Sequence, residues 1–236
     1  MAMRPFLAMT AAEIRKNIIL PEKSAWMACH FSPYGRGLSN LPRFLPEGSL
    51  LMVDDITPLR GHDPEIITQQ LIHCTESLNL QGILLDFQWP NDPEIAELVR
   101  CLSKSLPCPP AVSEAYADAA ELPVFASPVP PSVPLREHLA KWEGREIWLD
   151  ISTWGEDLLL SEEGCSASPI SSWDLQESGF PDNTLHCHYK AELTENAARI
   201  TLWRTWDDLS ALLEEADSLG VKAAVGLYQE LQSFME

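Results

Sequence analysis

The chain has 236 residues, with 16 Lys and Arg against 35 Asp and Glu, a formal net charge of -19. Hydrophobic residues make up 45% and charged residues 22%, which fits a globular chain and excludes wholesale disorder. So strong an acidic balance argues against nucleic acid and anionic membranes, which select clustered Lys and Arg.

The acidity is concentrated in the second half. No Lys or Arg occurs from Glu146 through Tyr189. The N-terminal stretch Met1 to Leu20 is interrupted by Thr10, Glu13, Arg15 and Lys16, so a signal peptide is not expected. No apolar run approaches the ~20 residues of a membrane span. The six cysteines form no C-x-x-C pair and read as reduced, mostly buried thiols, which points to a cytoplasmic location.

Short β-rich runs alternate with helical patterns. The expected strands are 26–31, 49–54, 82–88, 111–113, 123–127, 146–151, 184–190, 200–205 and 222–228. They are apolar on both faces, as parallel strands covered on both sides are. Two near-identical helix openings, Asp63-Pro64-Glu65-Ile66 and Asp92-Pro93-Glu94-Ile95, combine an N-cap, a first-turn proline and an acid at the positive dipole end. Ile67, Leu71, Cys74 and Leu78 share one face of the first helix, and Ile95, Leu98, Val99, Leu102 and Leu106 one face of the second. A last helix opens at Thr205-Trp206-Asp207-Asp208, carries Leu209, Leu212, Leu213, Ala216 and Leu219 inward, and stops at Gly220.

Runs 184–190 and 200–205 are too close for a parallel crossover, so the spacing predicts a hairpin counted as one barrel step. Eight steps then give a compact single-domain (β/α)8 TIM-like barrel over 1–236, with some helices short or missing. The alternative is an open doubly wound α/β sheet, which lacks a Gly-rich phosphate loop here. The proline-rich stretch 106–134 reads as rigid barrel loops. Residues 152–183 read as a long acidic loop on the strand C-terminal side.

Function in such a barrel collects at the strand C-termini. Those ends offer His30, Asp54, Asp55, Asp86, Gln88, Glu114, Asp150, Tyr228 and Glu230. Trp89, Trp154 and Trp206 lie just beyond three of them. Carboxylates beside flat aromatic faces suit sugars, through hydroxyl binding or acid–base work and ring stacking.

The run Gly82-Ile83-Leu84-Leu85-Asp86-Phe87-Gln88 resembles the signature strand of the chitinase-like glycoside hydrolases. That family places three carboxylates on alternate positions and ends on a Glu general acid, with the substrate's acetamido group replacing the nucleophile. The matching face here is Leu84, Asp86 and Gln88. Only the middle Asp is kept, and an amide cannot protonate a leaving group as a carboxylic acid can. The ending Gly226-Leu227-Tyr228-Gln229 is more loosely similar to the same barrels.

The resemblance therefore implies a barrel that binds a glycan or related small neutral molecule, without a cofactor. Asp86, Asp150 and Glu230 are the candidates for any catalysis. His30, Asp54, Asp55, Gln88, Trp89, Glu114, Trp154 and Tyr228 are the candidates for ligand binding, with the facing of Asp54 against Asp55 undecided. One alternative is an active hydrolase with relocated carboxylates, or with a metal on His186 and His188 completed by Asp150 or Glu192. Cys29 or Cys187 as a nucleophile is weaker. A non-enzymatic interaction scaffold using 152–183 is the third reading.

Overall fold

The computed structural model of the chain describes residues 3–17, 19–171, 179–194 and 196–235. Eight parallel strands close into a barrel: β1 (Phe6–Met9), β2 (Ser24–Phe31), β4 (Leu50–Asp54), β5 (Gly82–Asp86), β6 (Ala111–Ser113), β7 (Val124–Ala126), β8 (Ile147–Ile151) and β14 (Ala223–Leu227). Pairing of β1 with both β14 and β2 completes the circuit. A two-residue strand β3 (Leu38–Ser39) lies antiparallel on β2.

The expected helices form as their capping predicts. Asp63 and Asp92 cap α2 (Pro64–Leu78) and α3 (Pro93–Ser105) by accepting first-turn N–H groups. Thr205 and Asp208 make a reciprocal capping box on α5 (Trp206–Ser218). Gly220, at φ 83°, then turns the chain back toward β14. Three short helices complete the set: α1 (Ala11–Lys16), α4 (Leu135–Leu139) and α6 (Tyr228–Met235). The apolar faces of α2 and α3 pack on the outer faces of β4 and β5. Those of α4 and α5 pack on β8 and β14.

The barrel interior holds Phe6, Ala8, Ala25, Leu50, Met52, Leu84, Ala111, Phe125, Trp148, Ala223 and Val225. Large and small side chains alternate so that the space fills. Gly82 is one of the small positions: a Cβ there would lie 2.9 Å from the Trp148 ring.

Two strand expectations are corrected. The first barrel strand is β1, which the sequence reading passed over because Phe-Leu-Ala-Met carries no β-branched residue. The runs near 184–190 and 200–205 are not a barrel step. They are β12 (Cys187–Leu193) and β13 (Ala197–Trp203) of a separate antiparallel sheet with β9 (Gly155–Ser161), β10 (Gly164–Ile170) and β11 (Phe180–Asp182), ordered β10-β9-β13-β12-β11. Much of the expected loop 152–183 is thus paired strand. Its small and polar residues reduce the apolar signal that marks a strand, and only the ladder reveals the pairing.

Candidate functional site

On three barrel strands the last inward position is polar where lower ones are apolar. Asp54 follows Leu50 and Met52, Asp86 follows Leu84, and Asp150 follows Trp148. Asp54 and Asp86 are register partners, so they stand side by side at the end of β4 and β5. A bulge in β2 adds His30 to this rim. Between the pairs Trp26–Leu51 and Cys29–Val53, two residues of β2 oppose one of β4. The extra residue turns Cys29 and Phe31 outward into the core and brings His30 level with Asp54.

Burial sets the charges. It pushes the Asp150 carboxyl up to about 8, with Asp86 and Glu230 adding repulsion. Burial also pushes Asp86 up to about 6; a hydrogen bond from Gln88 opposes this, and Asp54 and Asp55 reinforce it. Asp54 is raised too, chiefly by burial. At neutral pH Asp150 therefore holds its proton while Asp86 is largely ionised.

A cavity of about 400 Å3 opens beside this rim. Its walls are the Pro128–Pro131 segment after β7, Asp150 to Ser152, Trp154 to Glu156, Pro169 of β10, and Leu227 with Glu230. Asp150 is the carboxyl common to the rim and the cavity, while Asp54, Asp86 and Gln88 lie on the opposite side of the rim, outside the cavity lining. Trp154 is half exposed on the wall, and its indole N–H donates to Glu230 Oε1 at 3.2 Å. Glu230 Oε2 accepts from Thr153 N at 2.9 Å and from the Ser152 and Thr153 hydroxyls at 3.2 Å each. These bonds make Glu230 the clamp of the segment after β8.

Gln88 lies past the end of β5, where its side-chain amide donates to Asp86 Oδ1. Trp89 is 67% exposed and is not part of the cavity wall.

Several other candidates have structural partners instead. Asp55 is buried, and its carboxylate accepts the backbone N–H of Gln88 and of Trp89, each at 2.9 Å. The undecided pair thus resolves into Asp54 at the rim and Asp55 behind it. Glu114 accepts from Lys141 Nζ at 2.9 Å, from Ser127 and from Trp142. Burial acts to raise its pKa, but these bonds hold it below the ordinary value. Tyr228 donates its hydroxyl to Asn17 at 3.2 Å and packs in the outer core. Trp206 packs against the same core.

His186 and His188 do not share a strand face. His186 precedes β12 in a left-handed turn, at φ 48°. Its Nε2 meets Glu215 at 2.8 Å, and His188 Nδ1 meets Asp208 at 2.8 Å, so each ring faces its own carboxylate of α5. Among the described residues no three His, Cys, Asp or Glu converge to hold a metal ion. Burial pushes the Cys29 thiol up, and the Cys187 thiol up to about 11, which leaves neither as an active thiolate.

Sequence reasoning missed Glu156, which accepts Ser132 N at 3.1 Å, and buried Arg204. Arg204 donates to the carbonyls of Val129, Pro130 and His186, tying the antiparallel sheet to the loop after β7. No local motif announces either residue. Their partners lie 24 to 75 residues away in the chain, apart from the nearer His186.

No protein-family model matches the sequence, and no curated protein matches it. Solved structures do. The Bacillus cereus spore cortex-lytic enzyme SleL is similar at 11% identity and TM-score 0.52, over 90% of this chain. This chain spans 66% of the SleL chain. A chitinase from Chromobacterium violaceum is similar at 11% identity and TM-score 0.52, over 86% of this chain and 85% of that one. With the closed eight-stranded barrel and the Asp86 strand, these likenesses give the chain the fold of the chitinase-like glycoside hydrolase barrels.

Proposed function

We propose that the barrel binds a neutral, carbohydrate-like ligand at the strand C-termini without cleaving it. The observation that carries this reading is the shared cavity wall, where the inward carboxyl of Asp150 faces the same space as the half-exposed Trp154 indole. A neutral carboxyl offers both a donor and an acceptor to sugar hydroxyls. An indole face stacks on a pyranose ring. The lack of cleavage rests on Gln88, an amide where the resemblance places the acid, engaged with Asp86.

Isothermal calorimetry with neutral oligosaccharides, N-acetylated and plain, tests the reading. Binding is expected, weakened at least tenfold by Trp154→Ala and by Asp150→Leu, with no product released by the wild type. Absence of binding across the panel overturns the proposal.

One observation favours the active-hydrolase reading as the runner-up. Asp150 protonated and Asp86 ionised are the states that an acid and a base require at neutral pH. Turnover of a chromogenic glycoside that vanishes in Asp150→Asn would replace the binding reading with this one.

A further inference from the structure

Continuous ladders run through the antiparallel sheet, from β10 by way of β9, β13 and β12 to β11. Its link to the barrel is of another kind. Among the described residues, none of the three apolar cores takes a side chain from this sheet. The fasteners are polar. His186 meets Glu215 and His188 meets Asp208, each at 2.8 Å, and Arg136 of α4 adds to Glu215 at 3.5 Å. Glu156 accepts from Ser132 N at 3.1 Å, and Arg204 donates to the carbonyls of Val129 and Pro130. Such bonds exchange for bonds to water, so parting them exposes far less apolar surface than opening the barrel would. Arg204 gains by the exchange. Burial pushes its guanidinium down to about 10, and among the described residues its hydrogen-bond partners are all carbonyls. Hydration relieves that burial.

The two connections are held as a hinge requires. The chain enters the sheet through Ser152 to Trp154, which Glu230 clamps. It leaves at Thr205, fixed by the capping box with Asp208. Entry and exit strands lie close there: a Cβ on Gly155 would stand 2.6 Å from the Leu202 carbonyl oxygen. The cavity lies between sheet and barrel. Pro130, Asp150 and Leu227 line it from the barrel, and Gly155, Glu156 and Pro169 from the sheet.

We propose that the antiparallel sheet is a movable wall of the cavity, which swings off the barrel as one unit and closes on the ligand. The inference rests on the cavity being the ligand site. Opening parts the fasteners and leaves the ladders whole. A ligand that touches both walls favours the closed state.

Cys187 reports the movement. It is fully buried at the barrel end of β12, near Arg204 and Asp208. Cys29 is buried in the core under α2 and α3. Labelling of the full chain with N-ethylmaleimide, followed residue by residue in mass spectrometry, tests the proposal. Hinge motions take microseconds to milliseconds, faster than the labelling, so the rate measures the open fraction. Cys187 should react at least tenfold faster than Cys29. Glu215→Ala, which frees His186, should speed Cys187 at least threefold and leave Cys29 unchanged. Backbone amides of β12 and β13 should stay protected from hydrogen exchange while Cys187 reacts.

Equal rates for the two thiols overturn the proposal, because only global unfolding then exposes Cys187. So does a Cys187 rate indifferent to Glu215→Ala. Amide protection lost as fast as Cys187 is labelled also overturns it, because the strands then unfold instead of moving whole. Saturating N-acetylglucosamine tetramer should slow Cys187 at least fivefold. A tetramer that binds by calorimetry without slowing it overturns the wall's part in binding. A tetramer that does not bind counts against the sugar reading alone, since labelling without sugar still decides the movement.

Discussion

The side-chain amide of Gln88 donates a hydrogen bond to Asp86 at the end of β5. At this position the amide favours the ionised form of the neighbouring carboxylate. Burial and two further aspartates work against that state. The amide is thus a working part of the rim.

Gln88→Glu would remove the donor and add a like charge. Asp86 should then titrate above its present value of about 6, and the pair should lose protons in two separate steps. Carboxyl 13C NMR against pH measures this. An unchanged Asp86 midpoint would show that the amide does not govern it.

Stability should fall as pH rises, because of Asp150. Its folded pKa is raised, so the folded state binds the proton more tightly than the unfolded state does. The stability it contributes is complete below about pH 4 and is lost as pH rises to about 8. At roughly 1.4 kcal/mol per pKa unit, the effect is on the order of a few kcal/mol. Urea unfolding at pH 5, 7 and 9 should show this decline in the wild type and a flatter profile in Asp150→Asn. Equal slopes would rule Asp150 out as the cause.

Asp55→Ala should destabilise the chain by about 2–3 kcal/mol, since two backbone N–H groups lose a buried, charged acceptor. In a domain of this size that lowers Tm by about 4–12 °C. Scanning calorimetry checks the figure. The loss should exceed that of Trp89→Ala, whose ring is exposed.

Glu230→Gln should loosen the segment after β8. One oxygen now accepts from three donors of Ser152 and Thr153, and the other from Trp154. An amide nitrogen placed against either set opposes donor to donor. The expected cost is about 2 kcal/mol, with an upfield shift of the Trp154 indole proton in 1H NMR. A shift confined to other tryptophans would remove Glu230 from its clamp role.

The sequence anticipates the barrel because its cues are local. The caps Asp63, Asp92 and Thr205 act within three residues, and the apolar faces of α2, α3 and α5 repeat within a turn. The Asp86 strand was recognisable for the same reason, since alternation along five residues decides which side chains point inward. β1 escaped notice because its pairing partners β14 and β2, and not its own residues, make it a strand.

What composition and pattern determined alone is therefore the architecture and the end of the barrel where chemistry collects. Tertiary structure decided which polar residues work there. The bulge in β2 reset the parity that aims His30. Register separated Asp54 from Asp55. Contacts between distant segments turned Glu230, Glu114 and the two histidines into fasteners. A carboxylate's role depends on its partners and its distance from water, and folding assigns both.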